Sequence, residues 1–460
     1  METESMSVER HASLPPREEP LSSFRLGRNE YLQILSTSIV HMNTWGLLLS
    51  SGAFQLHYKQ SLLSNQSTSN ISWISTTCGF FALGAGTFTG PLFDRGHYKS
   101  LLLSGSLLQV FGLMMLSLST QYYQIFLSYS ICFGLGTGTV FTPSLSAAAA
   151  CLSDPAVRAR ATGVMASGSC IGTSTLPIRK LVLRLETSPH NLDVGGIIFP
   201  LMFRYLLPSL GFAWTIRCIA LLACALYLVS YLALLNPRHG ESASLKPRRR
   251  LFDSSMVTDP PFLVLLTGAT LYSMALYIPM IYLPLFTTVR IPLVKPSFTL
   301  DLLAILNGSS IIGRLASGLA AAFIGPLEVS FICLVFAGIL LFCWIAVYSV
   351  AGIIVWSVFW GMVSGVLFTL PGAFIPLFCP SIAVVGSRLG TYWLSAGIGM
   401  LLGSPIAGAI YGHDPDVKNT WRLQIFSGLL IAVAIIFVLY SLTCLRRKNS
   451  RVAKATSTSF

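Results

Sequence analysis

An arginine in the middle of a long apolar run is the residue with most chemical content in this 460-residue chain. Arg314 closes the stretch Asn307-Gly-Ser-Ser-Ile-Ile-Gly313-Arg314. In a hydrocarbon setting a cation costs roughly 2.5 kcal/mol or more, so it is kept where it binds, pairs or reaches a water-filled cavity. A guanidinium can clamp both oxygens of a carboxylate, which makes anion binding one reading of Arg314 and a structural ion pair the other. Asn307 lies two turns earlier on nearly the same helix face, where its amide can donate to the same ligand or to a neighbouring helix. A second candidate is the turn Gly90-Pro-Leu-Phe-Asp94-Arg95-Gly96-His97-Tyr98-Lys99. Asp94 and Arg95 there are charges at the end of an apolar run, where an acid is otherwise scarce, or simply the charges of a solvated turn. Asn65-Gln-Ser67 and Asn70-Ile-Ser72 are glycosylation acceptors by pattern, with Asn70 close to the next apolar run.

Other chemistries are excluded. The ten cysteines fall almost entirely inside apolar runs, and no pair has C-x-x-C spacing, so no metal is expected. There is no phosphate-binding P-loop and no catalytic triad. His41 and His57 stand at opposite ends of the first apolar run and do not form the cluster that a membrane enzyme would need. The chain is therefore expected to be no enzyme and to hold no cofactor. Its formal charge of +13 sits in short clusters between apolar runs rather than along one face, which excludes nucleic acid as a partner.

The elements that must position these residues are membrane helices. Hydrophobic residues make up 53% of the chain and charged residues only 10%, against about 25% charged in ordinary soluble chains. Of the 17 acidic residues, Glu2, Glu4, Glu9, Glu18, Glu19 and Glu30 lie in the first thirty positions. A bilayer core needs about 20 apolar residues per helix. The first half supplies 31–55, 72–92, 100–119, 122–146, a broken fifth segment between 160 and 208, and 210–235. The second supplies 261–287, 297–323, 327–349, 351–375, 385–411 and 421–445. The expected fold class is all-α and polytopic, with about twelve helices in two six-helix halves and the lipid bilayer as partner. Residues 1–30 read as a polar, disordered cytosolic tail, 31–235 as the first half, 236–259 as a cytosolic central loop, 260–445 as the second half, and 446–460 as a cytosolic tail.

Orientation follows from the excess of Lys and Arg in cytosolic loops. Arg10, Arg17, Arg25 and Arg28, then Arg95 and Lys99, Arg158 and Arg160, Arg248 to Arg250, and Arg446 to Lys454 all fall on one side. Both termini are expected in the cytosol, and Asn65 and Asn70 outside.

With these residues in view, the Asp94–Arg95 turn resembles the G-x-L-x-D-R-x-G-x-K/R signature of major facilitator transporters. The resemblance implies a gating role for Asp94 and Arg95 at the cytosolic ends of neighbouring helices. Further stretches are similar to the monocarboxylate porter family in the form common in fungi. They are Asn43-Thr-Trp45-Gly46, Gly52-Ala-Phe54, Ser72-Trp73-Ile74, Gly134-Leu-Gly136-Thr-Gly138, Arg158-Ala-Arg160-Ala-Thr-Gly163, Tyr277-Ile-Pro279, the Arg314 stretch, Gly386-Ser-Arg388-Leu-Gly390 and Gly403-Ser-Pro405-Ile-Ala-Gly408. The resemblance implies a secondary transporter in the cell membrane that works by alternating access, with Arg314 on the carboxylate of a small-molecule substrate.

The chain departs from the animal-type pattern at two places. Ser310 stands where those porters carry an aspartate four residues before the arginine, and Leu49 stands where they carry a lysine. Both groups support proton-coupled uptake in that family. Their loss tilts the expectation from uptake of a small monocarboxylate toward efflux of an organic acid or amphipathic metabolite; a non-transporting sensor on the same fold is a third reading. Asp301 lies 13 residues before Arg314, roughly 20 Å along a helix, and is expected at the outer rim.

The fifth segment is interrupted over 173–195, where Pro177, Arg179, Lys180, Arg184, Glu186, Pro189 and Asp193 would be very costly in a spanning helix. Joining Gly172 to Gly196 restores a continuous apolar helix. The codons at the two junctions can carry intron borders, so the interruption reads as a translated intron or as a genuine inserted loop.

Overall fold

A computed structural model describes residues 28–151, 165, 195–234, 254–291, 296–380, 384–412 and 420–458. Every regular element among them is helical. In chain order the membrane helices are α1 (28–62), α2 (68–94), α3 (Tyr98–Leu116), α4 (122–151), α5 (described over 195–210), α6 (212–234), α7 (Pro260–Arg290), α8 (Pro296–Ile324), α9 (Pro326–Cys343), α10 (350–378), α11 (Val385–Tyr411) and α12 (Thr420–Thr458). Nine continuous stretches among the described residues are long and apolar enough to cross a membrane, one of which contains both α5 and α6. The all-α, polytopic expectation is met.

Local sequence sets the helix ends. Ser67 accepts a hydrogen bond from the Asn70 amide at 3.1 Å and Ser349 one from Gly352 at 3.1 Å, each replacing a partner that the first helical turn lacks. Pro260 and Pro326 open α7 and α9, where a missing amide hydrogen costs nothing. Gly211, at φ 73° and ψ 172°, makes the reversal between α5 and α6, a conformation open to glycine alone. Helix α6 runs antiparallel to α3, beginning beside its far end (Arg217 Nε to Ser117 Oγ, 3.3 Å) and reaching its middle by Tyr231 (Oη to Ser106 Oγ, 2.6 Å).

Helices α3, α4 and α6 pack with α1 and α2 in one half, and α8 with α10 and α7 with α11 and α12 in the other. The halves meet along α2–α11, α1–α7 and α5–α8. Leu107, Phe111, Leu228, Phe336, Phe359 and Ile436 are exposed on the outside of the bundle, where acyl chains replace water. Glycines allow the closest approaches: a side chain on Gly313 would overlap the Met362 carbonyl, and one on Gly365 the Ser310 carbonyl, so α8 and α10 touch backbone to backbone.

Candidate functional site

Arg314 is buried, with its guanidinium carbon 5.7 Å from the centre of the Phe368 ring on α10. It lies ten residues before the end of α8, about 15 Å along the axis. Phe368 is also 5.3 Å from Tyr277 on α7 and 6.4 Å from Trp45 on α1. Trp45 lies edge-on to Phe141 on α4 at 5.4 Å, and Phe141 meets the ring of His41 on α1 at 4.8 Å. Arg314 interacts electrostatically with both His41 and Tyr277. Arg314 on α8 thus stands against an aromatic series drawn from α1 and α4 of one half and α7 and α10 of the other. Such a wall offers π-faces to a flat apolar body, while the guanidinium offers paired donors to an anionic group.

The backbone around this series is not regular. Met42–Gly46 is a π-helical turn directly after His41, a widening that often accompanies function because it redirects side chains. His41 Nδ1 lies 2.9 Å from the Thr37 carbonyl, one turn back.

Asn307 is also buried on α8. The face of α8 against α10 runs through Leu306, Ser309, Ser310 and Gly313, and Asn307 and Arg314 lie about 100° round from it. They share a face, as the spacing implied, but are separated by about 10 Å along the axis. Ser310 Oγ donates to the Asn307 carbonyl at 2.8 Å. Leu49 is buried on α1.

The other sequence candidates are at helix ends. Asp94 is the last residue of α2 and Arg95 is exposed in the turn before α3. Gly96 in that turn has φ +86°, which requires glycine. At the opposite end, Asn65 is exposed between α1 and α2; Asn70 is exposed in the first turn of α2 and donates to Gln66 Oε1 at 3.1 Å. The interruption 173–195 falls outside the described residues except for Gly195.

Three ion pairs among the described residues do not follow from the sequence, of which the exposed Arg446–Glu328 pair joins α12 to the start of α9. Arg204 on α5 pairs with Asp301 in the second turn of α8, joining the halves at the end of the bundle opposite Asp94. Arg388 on α11 is almost fully buried. It holds Asp259 and the Phe378 carbonyl, each at 2.5 Å, beside the Phe262 ring, and ties the starts of α7 and α11 to the end of α10. Asp301 and Arg388 were on view in the sequence, but their partners, far away along the chain, were not.

The gap between halves changes along α2–α11. A Cβ on Gly408 would stand 2.8 Å from the Ser69 Cα, one on Gly397 3.4 Å from Leu83, and one on Gly390 3.8 Å from Thr87. At the Gly408 end, Ser69 Oγ also donates to the Pro405 carbonyl at 2.7 Å, and Gly52 on α1 abuts the Met280 carbonyl on α7. The seal is tightest at the Arg204–Asp301 end and loosens toward the Asp94 end.

Two helical halves around a buried cationic, aromatic site, sealed more tightly at one end than the other, define a membrane transporter fold. The sequence profile described as Major Facilitator Superfamily matches residues 34–178. An MFS-type transporter of Emericella nidulans is 30% identical over 406 residues, covering 88% of this chain and 84% of the relative. The fujikurins efflux protein of Gibberella fujikuroi is 32% identical over 400 residues (86% and 78%), and the agnestins efflux protein of Paecilomyces divaricatus 31% over 432 (92% and 89%). In fold, the chain is similar to the crystal structure of the nucleoside transporter NupG, with TM-score 0.63 and 14% identity over 90% of this chain and 99% of that one. The chain belongs to the major facilitator superfamily and is a multi-pass membrane protein.

Proposed function

We propose that the protein exports an amphipathic organic anion, a secondary metabolite with an aromatic or conjugated body, across the cell membrane by alternating access. The observation that carries this reading is the Arg314 guanidinium over Phe368 within an aromatic series contributed by both halves. A ligand held there touches both halves at once, as alternating access requires. Identity to proteins named for efflux of fujikurins and agnestins supports the direction. Both termini are assigned to the cytosol, which makes the Arg204–Asp301 end the outer one and the described state the cytosol-facing one. Asp94 and Arg95 then form the cytosolic latch, and Asn65 and Asn70 are outside, within reach of glycosylation. The finer placement among fungal-type monocarboxylate porters belongs to the same reading, with Arg314 as the carboxylate clamp and Asn307 as a supporting donor.

Inside-out membrane vesicles carrying the protein should take up 1-naphthalenesulfonate, a flat aromatic anion. A lost charge-assisted hydrogen-bonded pair is worth about 1.5–3 kcal/mol, so Arg314→Ala at equal protein content is expected to lower uptake at least about tenfold. Unchanged uptake would remove Arg314 from the binding site.

A further inference from the structure

The end of the bundle opposite Asp94 carries two arginines, Arg217 and Arg422, that no described carboxylate holds. Among the described residues, Glu30, Asp94, Asp259 and Glu328 are at the Asp94 end; Asp301, the carboxylate at the other end, is taken by Arg204. Arg217 on α6 is fixed from two sides. Its Nε donates to Ser117 Oγ at 3.3 Å, and its guanidinium carbon is 4.8 Å from the centre of the Trp214 ring. Ser117 is buried and donates in turn to the Met114 carbonyl at 2.7 Å, so its oxygen is oriented as an acceptor. A guanidinium has five N–H donors, and the four on the Nη atoms of Arg217 have no described partner.

Helix register places this group at the edge of the bilayer-facing surface. Trp214, Leu221 and Leu228 are exposed along one face of α6, within about 40° of one another. Arg217 lies about 60° round from Trp214, on the side where Tyr227 and Tyr231 meet α3. A cation on a lipid-facing surface is costly unless an anion meets it, and two guanidinium nitrogens can clamp one phosphate. From the helix start inward, Trp214 comes first, then Arg217, then Leu221 and Leu228 about 6 and 17 Å further along. That is the order of interface, phosphate and acyl chain in a phospholipid lying against the protein. The second half repeats it. Trp421 and Arg422 open α12, with the guanidinium carbon 5.8 Å from the ring centre, and Leu429 and Ile436 are exposed on the same face further in.

We propose that Arg217, held between Trp214 and Ser117, binds the phosphate of a membrane phospholipid whose acyl chain lies along Leu221 and Leu228 beside α3. Because the guanidinium is already fixed, little side-chain freedom is lost when the phosphate arrives. Inorganic phosphate shares the charge but lacks the chain, and the apolar surface covered along α6 commits the site to a lipid. The lipid belongs to the leaflet at the Arg204–Asp301 end, the outer one in the orientation proposed above. The site does not depend on what the protein transports.

The test uses full-length protein in liposomes of digalactosyldiacylglycerol, a bilayer lipid without phosphate. A trace of phosphatidylcholine with a diazirine at the head of one acyl chain is added, and in a parallel sample a diacylglycerol with the same diazirine. After illumination, peptide mass spectrometry gives the crosslink yield at 214–221 relative to that at 332–339 on α9, where Ile332, Phe336 and Ile339 are exposed on the outside of the bundle. In wild type this ratio should be about tenfold higher for the phosphatidylcholine than for the diacylglycerol. Arg217→Gln should bring the two ratios together, and unlabelled phosphatidylglycerol should compete the wild-type signal away. Equal ratios for the two lipids in wild type overturn the proposal without recourse to a variant. A wild-type ratio kept in Arg217→Gln overturns it as well. Competition by inorganic phosphate as complete as that by phosphatidylglycerol would make this a site for a soluble anion, which also overturns it.

Discussion

Phe368 joins Arg314 to both halves of the molecule, touching Tyr277 on one side and Trp45 on the other. Removing its ring deletes a cation–π contact and two aromatic contacts, each worth about 0.5–1.5 kcal/mol. Phe368→Ala should therefore raise the apparent KM for 1-naphthalenesulfonate in inside-out vesicles by about tenfold or more, with surface expression retained. An unchanged KM would take the aromatic series out of the binding site. Arg314 was legible in the sequence because a cation amid apolar residues violates the local pattern. Phe141 and Phe368 were not, because an aromatic on a membrane helix reads the same whether it faces lipid or a binding site. His41 reads in the sequence as a histidine at the far end of the first span from His57, whereas in space its ring meets Phe141 on α4, a contact that the sequence does not show.

At the scale of elements, hydropathy located the spans because the bilayer sets their length. The ends differ where helices outrun the membrane. Capping by Ser67 starts α2 at Thr68 rather than at 72, and α12 continues to Thr458 through the basic residues after Leu445, which are compatible with a helix in water. The contact between α8 and α10 is the element pair on which the site depends. Gly313→Val places two methyls against the Met362 backbone carbonyl, which cannot turn aside. Overpacking of this kind costs about 1–3 kcal/mol, and it displaces the turn that holds Arg314. The purified variant should melt several degrees below wild type and bind the probe more weakly; an equal Tm would show that the helices separate freely. The interrupted fifth element calls for a different measurement. The family match ends at residue 178, inside the interruption. Mature transcript is expected to lack the codons for 173–195, and their persistence would make the segment a genuine insertion.

The whole molecule must choose between two arrangements of its halves, and the Arg204–Asp301 pair bears on that choice because it exists only when α5 and α8 meet. The two side chains are about a quarter exposed (27% and 25%), so screening limits the pair to the order of 1 kcal/mol. That is enough to matter, because a carrier poised between states that differ by little shifts its populations about fivefold for each 1 kcal/mol. Breaking the pair removes stabilisation from the described state alone, since no contact is lost where the halves are apart. With the Arg204–Asp301 end outside, as proposed, Arg204→Gln is therefore expected to populate the outward-open state. A cysteine replacing Leu303, buried where α8 meets Gly52 of α1, reports this as faster labelling by an impermeant thiol reagent from outside the cell. Arg204→Asp with Asp301→Arg restores opposite charges across the same gap and should bring the labelling rate back toward wild type. Equal labelling in wild type and Arg204→Gln would mean that the seal between Ser69 and Pro405 and between Gly52 and Met280 holds the outer side closed without the ion pair.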